Sequence, residues 1–300
     1  GVYVSGDYAY VADGWNGLVV VDVSDAEAPE KVGHLDTDGY AYGVYVSGDY
    51  AYVADGWNGL VVVDVSDPEA PKEVGRLDTD GYARGVYVSG SYAYVAGYDN
   101  GLVVVDVSDP EAPKEVGRLD TDGWTYGTYG VYVSGDYAYI ADLENGLVVV
   151  DVSDPEAPEK VGHLDTDGYA WGVYVSGDYA YVADYDNGLV VVDVSEPEAP
   201  KEVGHLDTGY AWGVYVSGDY AYIADLENGL AVVDVSDPEA PEKVGHLDTD
   251  RGAVGVYVSG DYAYVADYDN GLVVMNVSDP ENPALVMDMF WPSPIAVFGL

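Results

Sequence analysis

The stretch Gly43–Thr79, GVYVSGDYAYVADGWNGLVVVDVSDPEAPKEVGRLDT, decides the fold. It reads as four short β runs with turn signals between them and no helical period. Gly43–Gly48 is strand A and ends in a Ser-Gly turn. Asp49–Asp55 is strand B, an alternating run rich in Tyr, Ala and Val. Asn58-Gly59 follows, and this pair tolerates the positive φ values of a tight hairpin. Gly59–Ser66 is strand C and Lys72–Thr79 is strand D, joined by a proline-stiffened acidic loop. Strand C is apolar on both faces: Leu60 and Val62 point one way, Val61, Val63 and Val65 the other. A strand of that kind must be covered from both sides.

The unit is copied seven times. GVYVSG begins at Gly1, Gly43, Gly85, Gly130, Gly172, Gly213 and Gly255, with spacings of 42, 42, 45, 42, 41 and 42. Such a period marks a propeller or a solenoid. A solenoid needs polar end caps, and the first and last copies are nearly as apolar as the middle ones. Four-stranded blades stacked around an axis satisfy strand C without caps. The expected fold is therefore all-β: a seven-bladed β-propeller with four antiparallel strands per blade and a repeat of about 42 residues. One domain spans residues 1–300, with blades near 1–42, 43–84, 85–129, 130–171, 172–212, 213–254 and 255–289 and a tail at 290–300. Length alone would suggest two domains, and the repeat overrides it.

Leu60-Val61-Val62-Val63-Asp64 and the loop after it resemble the signature of LVIVD-repeat proteins. The match recurs at Leu18, Leu102, Leu147 and Leu189, and departs at Ala231 and at Met275-Asn276. The resemblance covers residues 1–289. It implies a propeller module of the kind found on bacterial and archaeal surface proteins, with no shared catalytic activity and no functional residues to carry over. Copies this similar point to recent amplification or to engineering from a consensus; the irregular tail and scattered substitutions lean towards a natural origin.

Fifty-five acids face ten Lys plus Arg, a formal charge of −45. That sign repels phosphate backbones and anionic bilayers, so no nucleic-acid partner is expected. Disorder does not follow from the acidity, because 48% of residues are hydrophobic and 13% aromatic. The charge belongs on the surface of a folded body and suits a salt-rich or calcium-rich exterior. The expected location is extracellular or at the cell surface, and the expected state a monomer. There is no cysteine, and no apolar run approaches the roughly 20 residues of a membrane helix.

Antiparallel strands put the B–C and D–A loops on one face. That face gathers carboxylates with Trp15, Trp57, Tyr98, Trp124, Trp171, Tyr185, Trp212 and Tyr268, and is the expected ligand face for a protein or a glycan. Interblade packing of these rings is the alternative account. The D–A loops carry Asp-Thr-Asp-Gly, with Asp36 and Asp38, Asp78 and Asp80, Asp120 and Asp122, and Asp165 and Asp167 as calcium candidates. Neighbouring loops could add Asp55 or Asp186. Asx turns explain the same letters without a metal, and the motif decays at Asp207, Arg251 and Phe290. No other cofactor is suggested.

Asp64 and its copies Asp22, Asp106, Asp151, Asp193 and Asp234 fall on the Leu60 face of strand C, with Asn276 in the seventh blade. A buried carboxylate there would bracket strands or blades, and Asn keeps the acceptor while losing acid–base chemistry. His34, His163, His205 and His246 share one position with Arg76 and Arg118, which reads as an exposed outer strand. Two irregularities stand out: three extra residues in Trp124–Gly130, and the tail Ile295–Leu300, which aligns with another strand A. The tail could close the ring or cover the channel; truncation of the chain accounts for it equally well. The function expected is a non-enzymatic binding or architectural propeller with a salt-adapted surface. The alternatives are a calcium-dependent or carbohydrate-binding lectin-like propeller, and a symmetric scaffold without a ligand.

Overall fold

A computed structural model describes residues 1–97, 101–121, 130–249, 252–268 and 271–290. The chain forms seven four-stranded antiparallel sheets, each ordered A-B-C-D and each built from contiguous residues. In blade 2 the strands are Gly43–Ser47, Tyr50–Ala54, Leu60–Asp64 and Lys72–Leu77. Register runs from Tyr50↔Asp64 to Ala54↔Leu60 across the B–C hairpin. Gly59 closes that hairpin with a φ of 73°, the conformation for which Asn-Gly is suited. The three-residue insertion and the tail from Trp291 onward lie outside the described residues.

The two-sided strand C sets the packing. Leu60, Val61, Val62 and Val63 are all fully buried. Leu60 and Val62 pack on Val86, Val88, Val95 and Val103 of blade 3. Val61, Val63 and Val65 pack on Tyr10, Leu18 and Val20 of blade 1. The interior is therefore seven slabs between blades, not one central core. Each fully buried Val or Leu contributes about 1.5–3 kcal/mol. The seventh slab sets Tyr264, Leu272 and Val274 of blade 7 against Val4, Val19 and Val21 of blade 1, so the ring closes by side-chain packing.

Strand A lies innermost, and its tyrosines form a girdle that sequence reading overlooked. Tyr3, Tyr45, Tyr87, Tyr132, Tyr174, Tyr215 and Tyr257 touch in order, with ring centroids 4.7 to 4.8 Å apart. Tyr257 meets Tyr3 again at 5.0 Å. Burial, reinforced by the neighbouring phenols, pushes the pKa of Tyr3, Tyr87 and Tyr215 up, and that of Tyr174 up to about 12. Those four phenols are neutral at any ordinary pH.

Asp64 differs from expectation. It ends strand C, where it is only half-buried, and its carboxylate accepts Ser66 N at 2.9 Å and Ser66 Oγ at 2.6 Å. It shapes the start of the C–D loop and brackets neither strands nor blades. The Ser hydroxyl, then the Ser amide, hold the carboxyl of Asp22, Asp64, Asp106, Asp151, Asp193 and Asp234 below the usual range. Asn276 accepts the same two bonds from Ser278, at 3.0 and 2.6 Å, which is why an amide serves there.

Blades also interlock at their outer edge. Strand D bulges against strand C between Val62 and Val63 in blade 2, and the same bulge recurs in every blade. Beside it sits Gly75, where a Cβ would collide with the Pro110 carbonyl of the next blade's C–D loop. At the seam the pattern is exchanged. Met287 of blade 7 takes the glycine's register position opposite Val274, Ala26 of blade 1 takes the proline's place, and both join one cluster. Gly75→Ala is expected to lower stability by about 1–3 kcal/mol through overpacking. A thermal melt reads this as a lower midpoint, and an unchanged midpoint would mean that the neighbouring loop yields freely.

Candidate functional site

The D–A loop crosses from one blade to the next and ties two B–C loops together. Towards its own blade, Ala41 exchanges backbone bonds with Gly14, each at 3.0 Å. Towards the next, Thr37 Oγ1 donates to Asp55 Oδ1 at 2.7 Å, and Asn58 Nδ2 donates to Asp55 Oδ2 at 3.0 Å. Thr166 and Asp184 repeat the clasp at 2.6 Å. Asp55 and Asp184 are fully buried and Asp142 nearly so. Burial pushes the carboxyls of Asp55, Asp142 and Asp184 up, and hydrogen bonds from the flanking Asn, Thr or backbone groups partly oppose it. In blades 2, 4, 5, 6 and 7 the buried carboxylate is thus the residue at the end of strand B, Asp55, Asp142, Asp184, Asp225 or Asp267, and not Asp64 or its copies. Its signal in sequence is an acid directly after the apolar run Tyr-Ala-Tyr-Val-Ala, and blade 3 alone has Gly97 instead.

The Asp-Thr-Asp-Gly acids form turns. Asp38 N donates to Asp36 Oδ1, Asp80 N to Asp78 Oδ1 and Asp167 N to Asp165 Oδ1, each at 2.9 Å. Asp38, Asp80 and Asp167 occupy the left-handed region, which Asp tolerates. The shortened copy keeps its turn, with Gly209 N donating to Asp207 Oδ1 at 3.1 Å. Asp55, a possible extra ligand from sequence, is spent on the clasp. Asp186 shares an acidic groove with Glu144, Asp165 and Asp167. Among the described residues no three His, Asp or Glu side chains are grouped so as to hold a metal ion. Asp120 is exposed, and Asp122 lies outside the described residues.

The histidines lie on the outer strand as expected. His34, His205 and His246 Nε2 meet the carbonyls of Asn16, Asn187 and Asn228 at 2.6–2.8 Å. Arg76 and Arg118 use the same position to reach the Thr37 and Thr79 carbonyls of the preceding loop, each at 3.0 Å.

The face divides its aromatics into two kinds. Trp15, Trp57 and Tyr268 project into solvent, 63%, 72% and 69% exposed. Trp15 stands edge-on to Tyr40 and Trp57 edge-on to Tyr82, at 5.4 and 4.7 Å. Trp171, Trp212 and Tyr185 instead turn towards one another, with Trp171 and Trp212 3.8 Å apart and Tyr185 stacked on Tyr210 at 4.6 Å. Tyr98 and Trp124 lie outside the described residues.

At the centre of this face the strand-A glycines open a channel mouth of about 240 Å³, rimmed by Tyr42, Arg84, Trp171, Trp212 and Val254. These rim residues are one repeat position, and they are all different in kind from the repeated framework beneath them. The Arg84 guanidinium lies over Tyr42 at 4.6 Å and Tyr82 at 5.1 Å, while the Tyr42 and Tyr82 hydroxyls meet at 2.9 Å. Of these rim residues the sequence singled out Trp171 and Trp212 as ligand-face candidates; Tyr42, Arg84 and Val254 share their repeat column but differ in type and drew no notice.

Seven consecutive segments, residues 1–37, 38–79, 80–121, 127–166, 167–208, 208–249 and 250–289, match the LVIVD repeat. No curated protein matches the chain. Among solved structures, the chain is similar to a candidate 6-phosphogluconolactonase from Bacteroides uniformis, with 14% identity over 96% of this chain and 99% of that one and a TM-score of 0.78. A functionally unknown protein from Desulfotomaculum acetoxidans gives 13% identity, 96% of both chains and a TM-score of 0.77. The computationally designed Ika8 protein gives 9% identity over 91% of this chain and 81% of that one, with a TM-score of 0.68. At these identities the likeness shows the fold alone.

The clasp carries a pH signature. The folded-state pKa values of Asp55, Asp142 and Asp184 are raised, so the folded chain takes up their protons before the unfolded chain does. Their contribution to stability therefore rises as pH falls from neutral towards the ordinary Asp value near 3.9. The Ser-bonded acids such as Asp64 work in the other direction, and their contribution is lost as pH falls through their lowered pKa. Urea unfolding at pH 7 and pH 5 is expected to show a smaller acid-side gain in Asp55→Asn than in the parent chain. Thr37→Val, which strips a donor from a buried carboxylate, is expected to cost about 1–3 kcal/mol at pH 7. An equal gain in both chains would remove Asp55 from this role.

Proposed function

The chain belongs to the LVIVD repeat family, and from that premise we propose that it is a non-enzymatic binding propeller whose ligand face is the one built from the B–C and D–A loops. One observation carries the reading. The exposed tryptophans and tyrosines, Trp15, Trp57, Tyr169, Tyr210 and Tyr268, all lie on these loops among the described residues. Solvated rings beside carboxylates suit contact with a glycan or a protein, because a ring contributes large apolar area while the acids orient polar groups. The framework beneath supports this reading, since the loops entering blades 2 and 5 are held between two blades, and rigid loops lose little entropy on binding.

The polar groups fit binding better than catalysis. The clasps at Asp55 and Asp184, the Asx turns at Asp36, Asp78 and Asp165, and the outer-strand His34, His205 and His246 repeat from blade to blade, and each of these makes a local bond. A charge of −45 on a folded body favours a salt-rich medium, which supports an extracellular or cell-surface location and a monomer kept apart by its own field.

Arrays of glycans and of secreted proteins, probed with the intact chain and with the Trp15→Ala/Trp57→Ala variant, test the reading. Both rings are exposed, so the variant is expected to fold as the parent does. Signals are expected to fall at least about tenfold in the variant, as loss of two central aromatic contacts implies. The proposal fails if neither array yields a signal that the variant removes.

A further inference from the structure

The tyrosine girdle is a closed circle of equivalent contacts. Its ring centroids are 4.7 to 5.0 Å apart and neighbouring planes differ by 46° to 54°, close to one-seventh of a full turn, so each ring meets the next in the same way. The hydroxyls of neighbours interact around the whole circle, as that of Tyr3 does with Tyr45 on one side and Tyr257 on the other. Packing alone would be served by phenylalanine. The chain holds 31 Tyr against two Phe and places a phenol at all seven of these positions. Each of the seven is only partly buried at its blade interface, which leaves it open to a small reagent. With no cysteine in the chain, no disulfide can join one blade to another.

We propose that the girdle is a site of oxidative modification, at which a one-electron oxidant joins neighbouring blades through dityrosine bonds. The bond in question forms between carbons ortho to the hydroxyls, and rings whose hydroxyls interact bring those carbons together. Each of two adjacent phenols gives one electron to the oxidant and its hydroxyl proton to solvent. The two phenoxyl radicals couple through their ortho carbons, and each ring then passes its ortho hydrogen to its own oxygen. Two electrons and two protons leave, one carbon–carbon bond forms, and both hydroxyls are restored. A neighbour held in contact replaces the chance encounter that this coupling needs in free solution. A charge of −45 keeps separate copies apart, so linkage within one ring is favoured over linkage between chains. The pair Tyr3 and Tyr257 has the largest consequence. Blades 1 and 7 meet there by side-chain packing, and a covalent bond would close nearly the whole chain into one loop, restricting the unfolded ensemble as a long-range cross-link does.

The test oxidises the full chain in dilute solution with tris(bipyridine)ruthenium(II) and persulfate under brief illumination, then maps linked peptides by mass spectrometry. Dityrosine fluorescence is expected in the monomer, with Tyr3 joined to Tyr257 and other links between girdle neighbours. The yield of these links is expected to fall at least about tenfold when the chain is oxidised unfolded in urea, because the fixed contacts are gone. After oxidation, the parent is expected to show a higher urea midpoint than Tyr257→Phe treated in the same way. That variant keeps the ring and removes the phenol, and its midpoint before oxidation reports whether it is folded. Tyr45→Phe is a second variant, expected to lose the links of residue 45 and to keep Tyr3 joined to Tyr257. The proposal is overturned if no girdle pair is linked in the folded parent, or if the unfolded chain gives the same links in the same yield.

Discussion

A strand with no solvent face cannot be satisfied within its own blade, and that constraint governs this molecule. Leu60 and Val62 need one neighbour while Val61 and Val63 need another, so no blade has a finished interior until two more stand beside it. The requirement passes round the chain until it returns to blade 1, and only a closed ring ends it. Every sheet is made from contiguous residues, so closure uses no exchanged strand among the described residues and relies on fit between side chains. The tyrosine girdle is the inner expression of the same geometry, a circle of contacts that exists only when all seven blades are in place.

Once the ring is closed, the loops inherit its rigidity. The loops entering blades 2 and 5 are held on both sides, by backbone pairing of Ala41 to Gly14 and of Ala170 to Leu143, and by the clasps of Thr37 with Asp55 and Thr166 with Asp184. The clasp puts a carboxylate where water is scarce and offsets part of that cost with two or three donors. Above this framework lie the exposed rings of Trp15, Trp57 and Tyr268 and the rim of the channel, whose side chains pack on one another. The framework repeats and the rim does not, which is the pattern expected when a symmetric support carries an asymmetric surface.

Sequence alone exposed the layers that depend on period. Strand C could be split into its two faces correctly because alternation in a strand is geometric. The Asn-Gly hairpins and the exposed outer-strand histidines follow from equally local rules. Asp64 was placed on the buried face by the same alternation, but the strand ends at that residue and alternation stops describing it. Asp55 looked like one more turn acid, since its burial comes from the loop of another blade, 18 residues away. The girdle escaped because Tyr45 alone looks like any half-buried strand residue, and its partners lie about a full repeat away on either side. The rim was legible at Trp171 and Trp212 and escaped at Tyr42, Arg84 and Val254, because attention to a repeat favours the columns that agree.

The seam between blades 7 and 1 deserves a different vocabulary from the rest of the ring. In a chain of near-identical blades, the hazard is an error of counting: any blade's outer edge could be offered to the wrong neighbour. Everywhere else a bare glycine lies against a proline-bearing loop so closely that a Cβ would strike its carbonyl. Met287 brings a long side chain to that place, and blade 1 meets it with the loop that has Ala26 in place of proline. An edge carrying Met287 is matched to the first blade and mismatched to every loop of the kind found at Pro68 or Pro110. The exchange of bulk works as a full stop, telling a repetitive chain that seven is complete.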